Sequence, residues 1–181
     1  ACLDPIEGER GAQPWALTPE AYGKFLCGLF DVYYRDWVNG DYTSVRLFDD
    51  YIHMAMGMPA GTCATSGSCG AYFVVEGDGT VYPCDFYCLD EWEMGRIGEQ
   101  SIPELANSEK ARLFLQQGER KPDACADCRW YSLCHGGCKR DWVENDGKLE
   151  NYSCLAFKEF FAYAESRILE IARAEAEYYR R

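Results

Sequence analysis

The sequence predicts an α+β fold: a small cluster-binding domain with a β-hairpin and irregular cysteine-rich loops, flanked by helices. Three observations lead there. Apolar residues recur at helical spacing near both ends of the 181-residue chain. Between them, Ala71-Tyr72-Phe73-Val74-Val75 and Thr80-Val81-Tyr82 read as strands around the turn Glu76-Gly77-Asp78-Gly79. Eight of the eleven cysteines form one spaced series: Cys63, Cys69, Cys84, Cys125, Cys128, Cys134, Cys138 and Cys154. Their gaps read C-x5-C-x14-C, a break, then C-x2-C-x5-C-x3-C-x15-C. Eight thiols suit two four-thiolate metal centres, since a cubane iron–sulfur cluster and a closed zinc site each take four.

The elements follow in order. Residues 1–17 are loop-like, with Pro5, Gly8, Gly11 and Pro14. Thr18-Pro19-Glu20 starts a helix: an N-cap, a proline at the first helical position and an acid suited to the helix N-terminus. Tyr22, Phe25, Leu26, Leu29, Tyr33 and Trp37 form its apolar stripe, and Asn39-Gly40 ends it. Cys27 lies just off the stripe as a plain buried thiol. Ser44 to Met56 is a second helix, stopped by Gly57 and Pro59, with Met54, Met56 and Met58 as gap-filling core. The hairpin brings Cys69 and Cys84 close in space, so a long gap can serve one centre. Ser101-Ile102-Pro103-Glu104 starts a helix running to about Gln117. Residues 123–140 hold four cysteines, too dense for a regular element. A final helix runs from Ser153 to the end, with Phe157, Phe161, Ala164, Ile168 and Ile171 on one face.

Composition narrows the function. A net charge of −12 argues against nucleic acid or an anionic membrane as partner, since Lys/Arg patches bind those. No run of about 18 apolar residues exists to span a bilayer. Disulfides fit small secreted domains without a core; an odd cysteine count and C-x2-C spacing point instead to metal in a reducing, cytoplasmic compartment. The start at Ala1, without an initiator Met, suggests a piece of a longer protein.

Spacing alone sorts the thiols only partly. Cys125 and Cys128 share a centre, and Cys134 can join them after a short turn. Either Cys138 or Cys154 can be the fourth ligand, and the other then completes Cys63, Cys69 and Cys84.

Specific blocks carry a family resemblance. They are Thr62-Cys63, Gly67-Ser68-Cys69-Gly70, Gly77-Asp78-Gly79-Thr80-Val81-Tyr82-Pro83-Cys84-Asp85-Phe86-Tyr87, Cys125-Ala126-Asp127-Cys128-Arg129-Trp130 and Leu133-Cys134-His135-Gly136-Gly137-Cys138. The stretch from Gly61 to Tyr163 resembles the C-terminal SPASM domain of radical S-adenosylmethionine peptide-modifying enzymes, within them the anaerobic sulfatase-maturating enzymes. The resemblance implies crossed ligation by two auxiliary 4Fe–4S clusters, the first on Cys63, Cys69, Cys84 and Cys138, the second on Cys125, Cys128, Cys134 and Cys154. It implies that residues 1–58 end a partial (β/α) barrel, with a last strand near Cys2. Residues 59–155 are then the SPASM domain and 156–181 a C-terminal helix. The family's C-x3-C-x2-C loop is absent from these residues. S-adenosylmethionine and a third 4Fe–4S cluster therefore belong to a missing N-terminal part, and this chain alone is inactive.

The resemblance also implies the activity: oxidation of a Cys or Ser in a sulfatase polypeptide to Cα-formylglycine. An electron leaves through the auxiliary clusters, and flavodoxin or ferredoxin is the external donor. Asp85, next to Cys84, matches the proposed general base. A carboxylate of pKa about 3.9 facing a thiol of about 8.5 works uphill by roughly 6 kcal/mol, which burial beside an anionic cluster would reduce.

Other residues take plainer roles. Gly136 and Gly137 should adopt positive φ and aim backbone N–H groups at sulfur. Trp130 and Tyr131 shield the second centre or simply pack. His135 reads as an exposed spectator, His53 as structural and Cys88 as a free thiol. Asp49-Asp50 and Asp90-Glu91 read as solvated faces. Two alternatives stand beside the main reading: a maturase of another ribosomal peptide on the same fold, and a structural zinc module with two four-cysteine sites.

Overall fold

The structure, a computed structural model, describes residues 4–179. Helix α1 (Pro19–Asn39) begins where Thr18 Oγ1 accepts from the Ala21 N–H at 3.2 Å, and ends at Gly40, left-handed with φ 83°. Helix α2 (Arg46–Ala55) and the one-turn α3 (Cys63–Ser66) follow. Strands β1 (Val74–Val75), β2 (Thr80–Tyr82) and β3 (Gly95–Arg96) form an antiparallel sheet in that order, with Val74 opposite Tyr82 and Thr80 opposite Arg96. Then come α4 (Ile102–Ala106), α5 (Glu109–Gly118) and the one-turn α6 (Tyr131–Cys134). A hairpin of β4 (Trp142–Asn145) and β5 (Lys148–Asn151) leads into the long α7 (Cys154–Tyr179).

The mixed helix-and-sheet fold with its hairpin is the expected one, with local differences. The helix expected over residues 101–117 is two helices. Asn107 caps the end of α4, and Ser108 Oγ accepts from the Ala111 N–H to start α5. Both side chains favour helix ends over interiors, so the pair breaks the run. Strand pairing starts at Val74 rather than Ala71, and the Tyr72 ring lies against Gly70. The cysteine-dense stretch is not irregular throughout: it holds α6 and two 3-10 turns, Asp123–Cys125 and Lys139–Asp141. Strand β3 and the β4–β5 hairpin were not anticipated. The strand expected near Cys2 lies outside the described residues, and among those preceding residue 59 the regular elements are α1 and α2.

Three cores hold these pieces. In the largest, α1, α2 and α7 interlock through Phe30, Phe48 and Phe160, all fully buried. Phe30 meets Phe48 edge-on at 5.1 Å and Phe160 at 5.5 Å, the favoured aromatic arrangement. Phe25, expected on the stripe, is 54% exposed, and Phe30 takes the interior position. Met54 and Met56 pack against this core, whereas Met58 is exposed. Val81, Met94, Leu105 and Ala111 join the sheet to α4 and α5. Tyr82, Trp92 and Phe114 form the third core, with Cys69 and Cys84 packed against it. No helix among the described residues is long and apolar enough to cross a membrane.

Candidate metal centres

The ten described cysteines are all free thiols. Proximity sorts eight of them into two groups: Cys63, Cys69 and Cys138 line one small cavity and Cys125, Cys128, Cys134 and Cys154 another, and beyond the rise that burial gives the thiols, their mutual electrostatics follow the same division. In the first, Cys138 is raised by Cys63 and Cys69, Cys84 by Cys138, and Cys69 by Cys63. In the second, Cys134 is raised by Cys125, Cys154 and Cys128, Cys125 by Cys154 and Cys128, and Cys154 by Cys128. Cys88 stands apart from both: its thiol faces the Cys84 carbonyl at 3.7 Å, and its charged neighbours are Glu76 and Asp85.

Local backbone explains how the short C-x3-C gap is divided. Cys134 ends α6, and the next three residues are all left-handed: His135 at φ 50°, Gly136 at 88° and Gly137 at 69°. Continued right-handed turns would keep Cys134 and Cys138 on one side. Three reversed residues turn the chain away and deliver Cys138 to the other group. The two glycines adopt this conformation without a Cβ penalty, but His135 does not. It is held by its Nδ1, 2.8 Å from the Thr65 carbonyl, and by an edge contact with Tyr131 at 5.4 Å. So His135 is no exposed spectator: it is half-buried and ties α6 to α3.

The acid pair at 49–50 also departs from expectation. Asp50 is only 3% exposed. Its Oδ1 accepts from the Gly61 N–H at 3.0 Å, and its Oδ2 accepts from the hydroxyls of Thr62 (2.8 Å) and Thr65. A Cβ at Gly61 would lie 2.6 Å from that Oδ1, so the close approach needs glycine. Asp50 therefore fastens the turn that carries Cys63. Asp49 is bound by Tyr33 and Ser44, while Asp90 and Glu91 are exposed.

Both groups are half-buried. Burial pushes the Cys84 thiol up to about 12, with the Phe86 N–H pulling it down and Asp85 adding to the rise. Burial likewise pushes Cys134 and Cys138 to about 11, opposed by the N–H groups of Gly136 and Arg140. In all three cases a backbone N–H two residues on reaches the sulfur, a donor set suited to thiolate ligands. Thiols this weakly acidic ionise only when a metal displaces the proton, so loading releases protons.

Three observations bear on whether an iron–sulfur cluster fits. Cys125, Cys128, Cys134 and Cys154 line a cavity of about 380 Å³ together with Trp130. The Trp130 indole N–H is buried without a partner, a donor left for an acceptor inside the wall. In the first group, a Cβ on Gly118 would lie 2.6 Å from Cys69 Sγ, so only glycine leaves the sulfur its room. Among the described residues no three His, Cys, Asp or Glu side chains close on a single point as a lone ion requires. The four thiols of the second group line real space, whereas Cys63, Cys69 and Cys138 close on a gap of only about 10 Å³ beside Lys139. A roomier cavity of about 630 Å³ lies elsewhere, around Tyr33, His53 and Glu175, and no cysteine lines it.

Asp85 is exposed, at the start of the 3-10 turn Asp85–Tyr87, with Oδ1 3.4 Å from Cys84 Sγ. The burial expected around it is not supplied by the described residues. Beside the first group, sequence reasoning missed Lys139, a buried side chain one residue past Cys138.

Comparison with known proteins gives three results. Residues 67–129 match SPASM, described as an iron–sulfur cluster-binding domain. The chain is 40% identical over 173 residues to the cysteine-type anaerobic sulfatase-maturating enzyme of Clostridium perfringens, covering 94% of this chain and 47% of that protein. It is 30% identical to the serine-type enzyme of Bacteroides thetaiotaomicron, over 87% of this chain and 39% of that one. The fold superposes with a TM-score of 0.89 and 41% identity on a solved structure described as native anSMEcpe with bound AdoMet and Kp18Cys peptide, over 96% of this chain and 48% of that one. The chain thus spans about half the length of the relatives it matches.

Proposed function

This chain is a SPASM-domain relative of the anaerobic sulfatase-maturating enzymes, and we propose that it is the auxiliary-cluster part of a radical S-adenosylmethionine enzyme of that kind. The observation that carries the proposal is the grouping of eight half-buried thiols into two fours. On this reading Cys63, Cys69, Cys84 and Cys138 hold one 4Fe–4S cluster, and Cys125, Cys128, Cys134 and Cys154 hold the other. With every iron thiolate-ligated, the bound clusters would supply one-electron carriage rather than an open Lewis-acid position. The backbone donors of Phe86, Gly136 and Arg140 orient and stabilise the thiolates, and the aromatic walls exclude water.

The substrate is a sulfatase polypeptide bearing a Cys or Ser that becomes Cα-formylglycine; the relatives are named as cysteine-type and serine-type sulfatase-maturating enzymes. The S-adenosylmethionine site and a third cluster lie on residues outside this chain. An external flavodoxin- or ferredoxin-like donor and a cytoplasmic setting complete the proposal, with residues 1–58 ending the barrel and 59–155 forming the cluster domain. Asp85 stands next to a ligand and opens to solvent, where a docked polypeptide could both desolvate it and present its S–H or O–H. Asp85→Asn in an enzyme combining this chain with the S-adenosylmethionine-cleaving part is expected to abolish formylglycine formation while iron content is unchanged. Wild-type turnover in that variant would remove Asp85 from the chemistry.

Anaerobic reconstitution tests the main reading. The expected result is about eight iron and eight sulfide per chain, from two four-iron clusters. About two zinc and no sulfide under the same conditions would replace it with a structural module.

A further inference from the structure

We infer that Lys139 is the counter-charge of the first thiol group and holds the reduction potential of a cluster there above the value it would have without that charge. The inference rests on the reading of Cys63, Cys69, Cys84 and Cys138 as cluster ligands. Lys139 is 8% exposed, and a buried ammonium requires pairing or full hydrogen bonding. Its Nζ donates to the Phe114 carbonyl at 3.1 Å and to Gln117 Oε1 at 3.4 Å, both neutral acceptors. It sits 3.4 Å from the Phe114 ring centre, with Tyr87 at 4.8 Å and Trp92 at 5.0 Å, so ring faces surround the cation. Among the described residues it has no carboxylate partner. It lines one small cavity with Cys63, Cys69 and Cys138, so their sulfurs, once ionised, are the negative charge that faces it.

The arrangement makes sense for a site whose anion arrives with its cofactor. A thiolate-ligated cluster brings net negative charge into this core, and the ammonium is already there to receive it. One added electron makes the cluster more negative, so a fixed positive charge favours the reduced form. Removing the charge must shift the couple toward the oxidised form, and low local polarity enlarges that shift.

The test is a mediated redox titration of the anaerobically reconstituted chain, followed by electron paramagnetic resonance of the two reduced clusters. At the wild-type midpoint, Lys139→Met is expected to lower the reduced-to-oxidised ratio of the first cluster about tenfold, about 59 mV for one electron. The second cluster should stay within about twofold and serves as the internal control. Lys139→Arg, which keeps the charge, should hold both ratios near wild type. Gln117→Glu places a carboxylate at Nζ without emptying the pocket, and should shift the first cluster in the same direction as Lys139→Met. It decides the matter if Lys139→Met fails to load the first cluster. An unmoved first cluster in a loaded variant, an equal shift in both clusters, or a shift in Lys139→Arg as large as in Lys139→Met overturns the inference. A wild-type chain that assembles no cluster overturns both this and the reading it rests on, whereas clusters that form but ignore the charge overturn this alone.

Discussion

Replacing Cys84 and Cys138 together by serine is expected to leave the chain with about half its iron, the same as either replacement alone. Replacing Cys134 and Cys138 together should leave almost none. The contrast follows from the grouping. Cys84 interacts with Cys138, and Cys138 with Cys63 and Cys69, so the second loss falls on a centre already missing a ligand. Cys134 and Cys138 are close in sequence but lie in different groups, so each loss opens a separate centre. Non-additivity of this kind marks residues that act as one unit. Iron and sulfide assays on anaerobically reconstituted variants read it directly. If the Cys134/Cys138 pair keeps half the iron and the Cys84/Cys138 pair keeps none, the grouping is wrong.

The second large effect belongs to a residue that binds no metal. Asp50→Ala leaves the Gly61 N–H and the hydroxyls of Thr62 and Thr65 without their shared acceptor. At about 1–3 kcal/mol per buried unsatisfied group, and with partial rescue through Thr62–Thr65 contacts, a loss of about 3 kcal/mol is expected. That is a large share of a total stability of about 5–15 kcal/mol. Because the same turn carries Cys63, the variant should also lose about half its iron while the second group loads normally. Urea denaturation of the apo chain and iron assay of the reconstituted one measure the two effects. Asp50→Ala with wild-type midpoint and full iron would show that the turn holds itself.

Much of this was legible from the residues. Thr18-Pro19 and Asn39-Gly40 mark α1 because cap chemistry is local. The alternation around Gly77-Asp78-Gly79 marks the hairpin for the same reason. The β4–β5 hairpin carries an equally local signal in Asn145-Asp146-Gly147, a turn sequence between Val143 and Leu149. Other features depend on long-range packing. Two adjacent acids look solvated until Thr62 and Thr65 fold over one of them. Lys139 looks like any lysine until Tyr87, Trp92 and Phe114 close around it. The left-handed His135 could not be anticipated, since it is held there by the Thr65 carbonyl, distant in sequence.

The reversed run from His135 to Gly137 also fixes how far the domain can be divided. One group stretches from Cys63 to Cys138 and the other from Cys125 to Cys154, so their spans overlap like two links of a chain. A cut within the overlap breaks both. A cut elsewhere between Cys63 and Cys154 severs one, and any segment long enough to carry the later group intact takes Cys138 from the earlier one. No shortening of the polypeptide yields a single complete centre free of the other's parts, so neither can be transplanted as a clean single-cluster module.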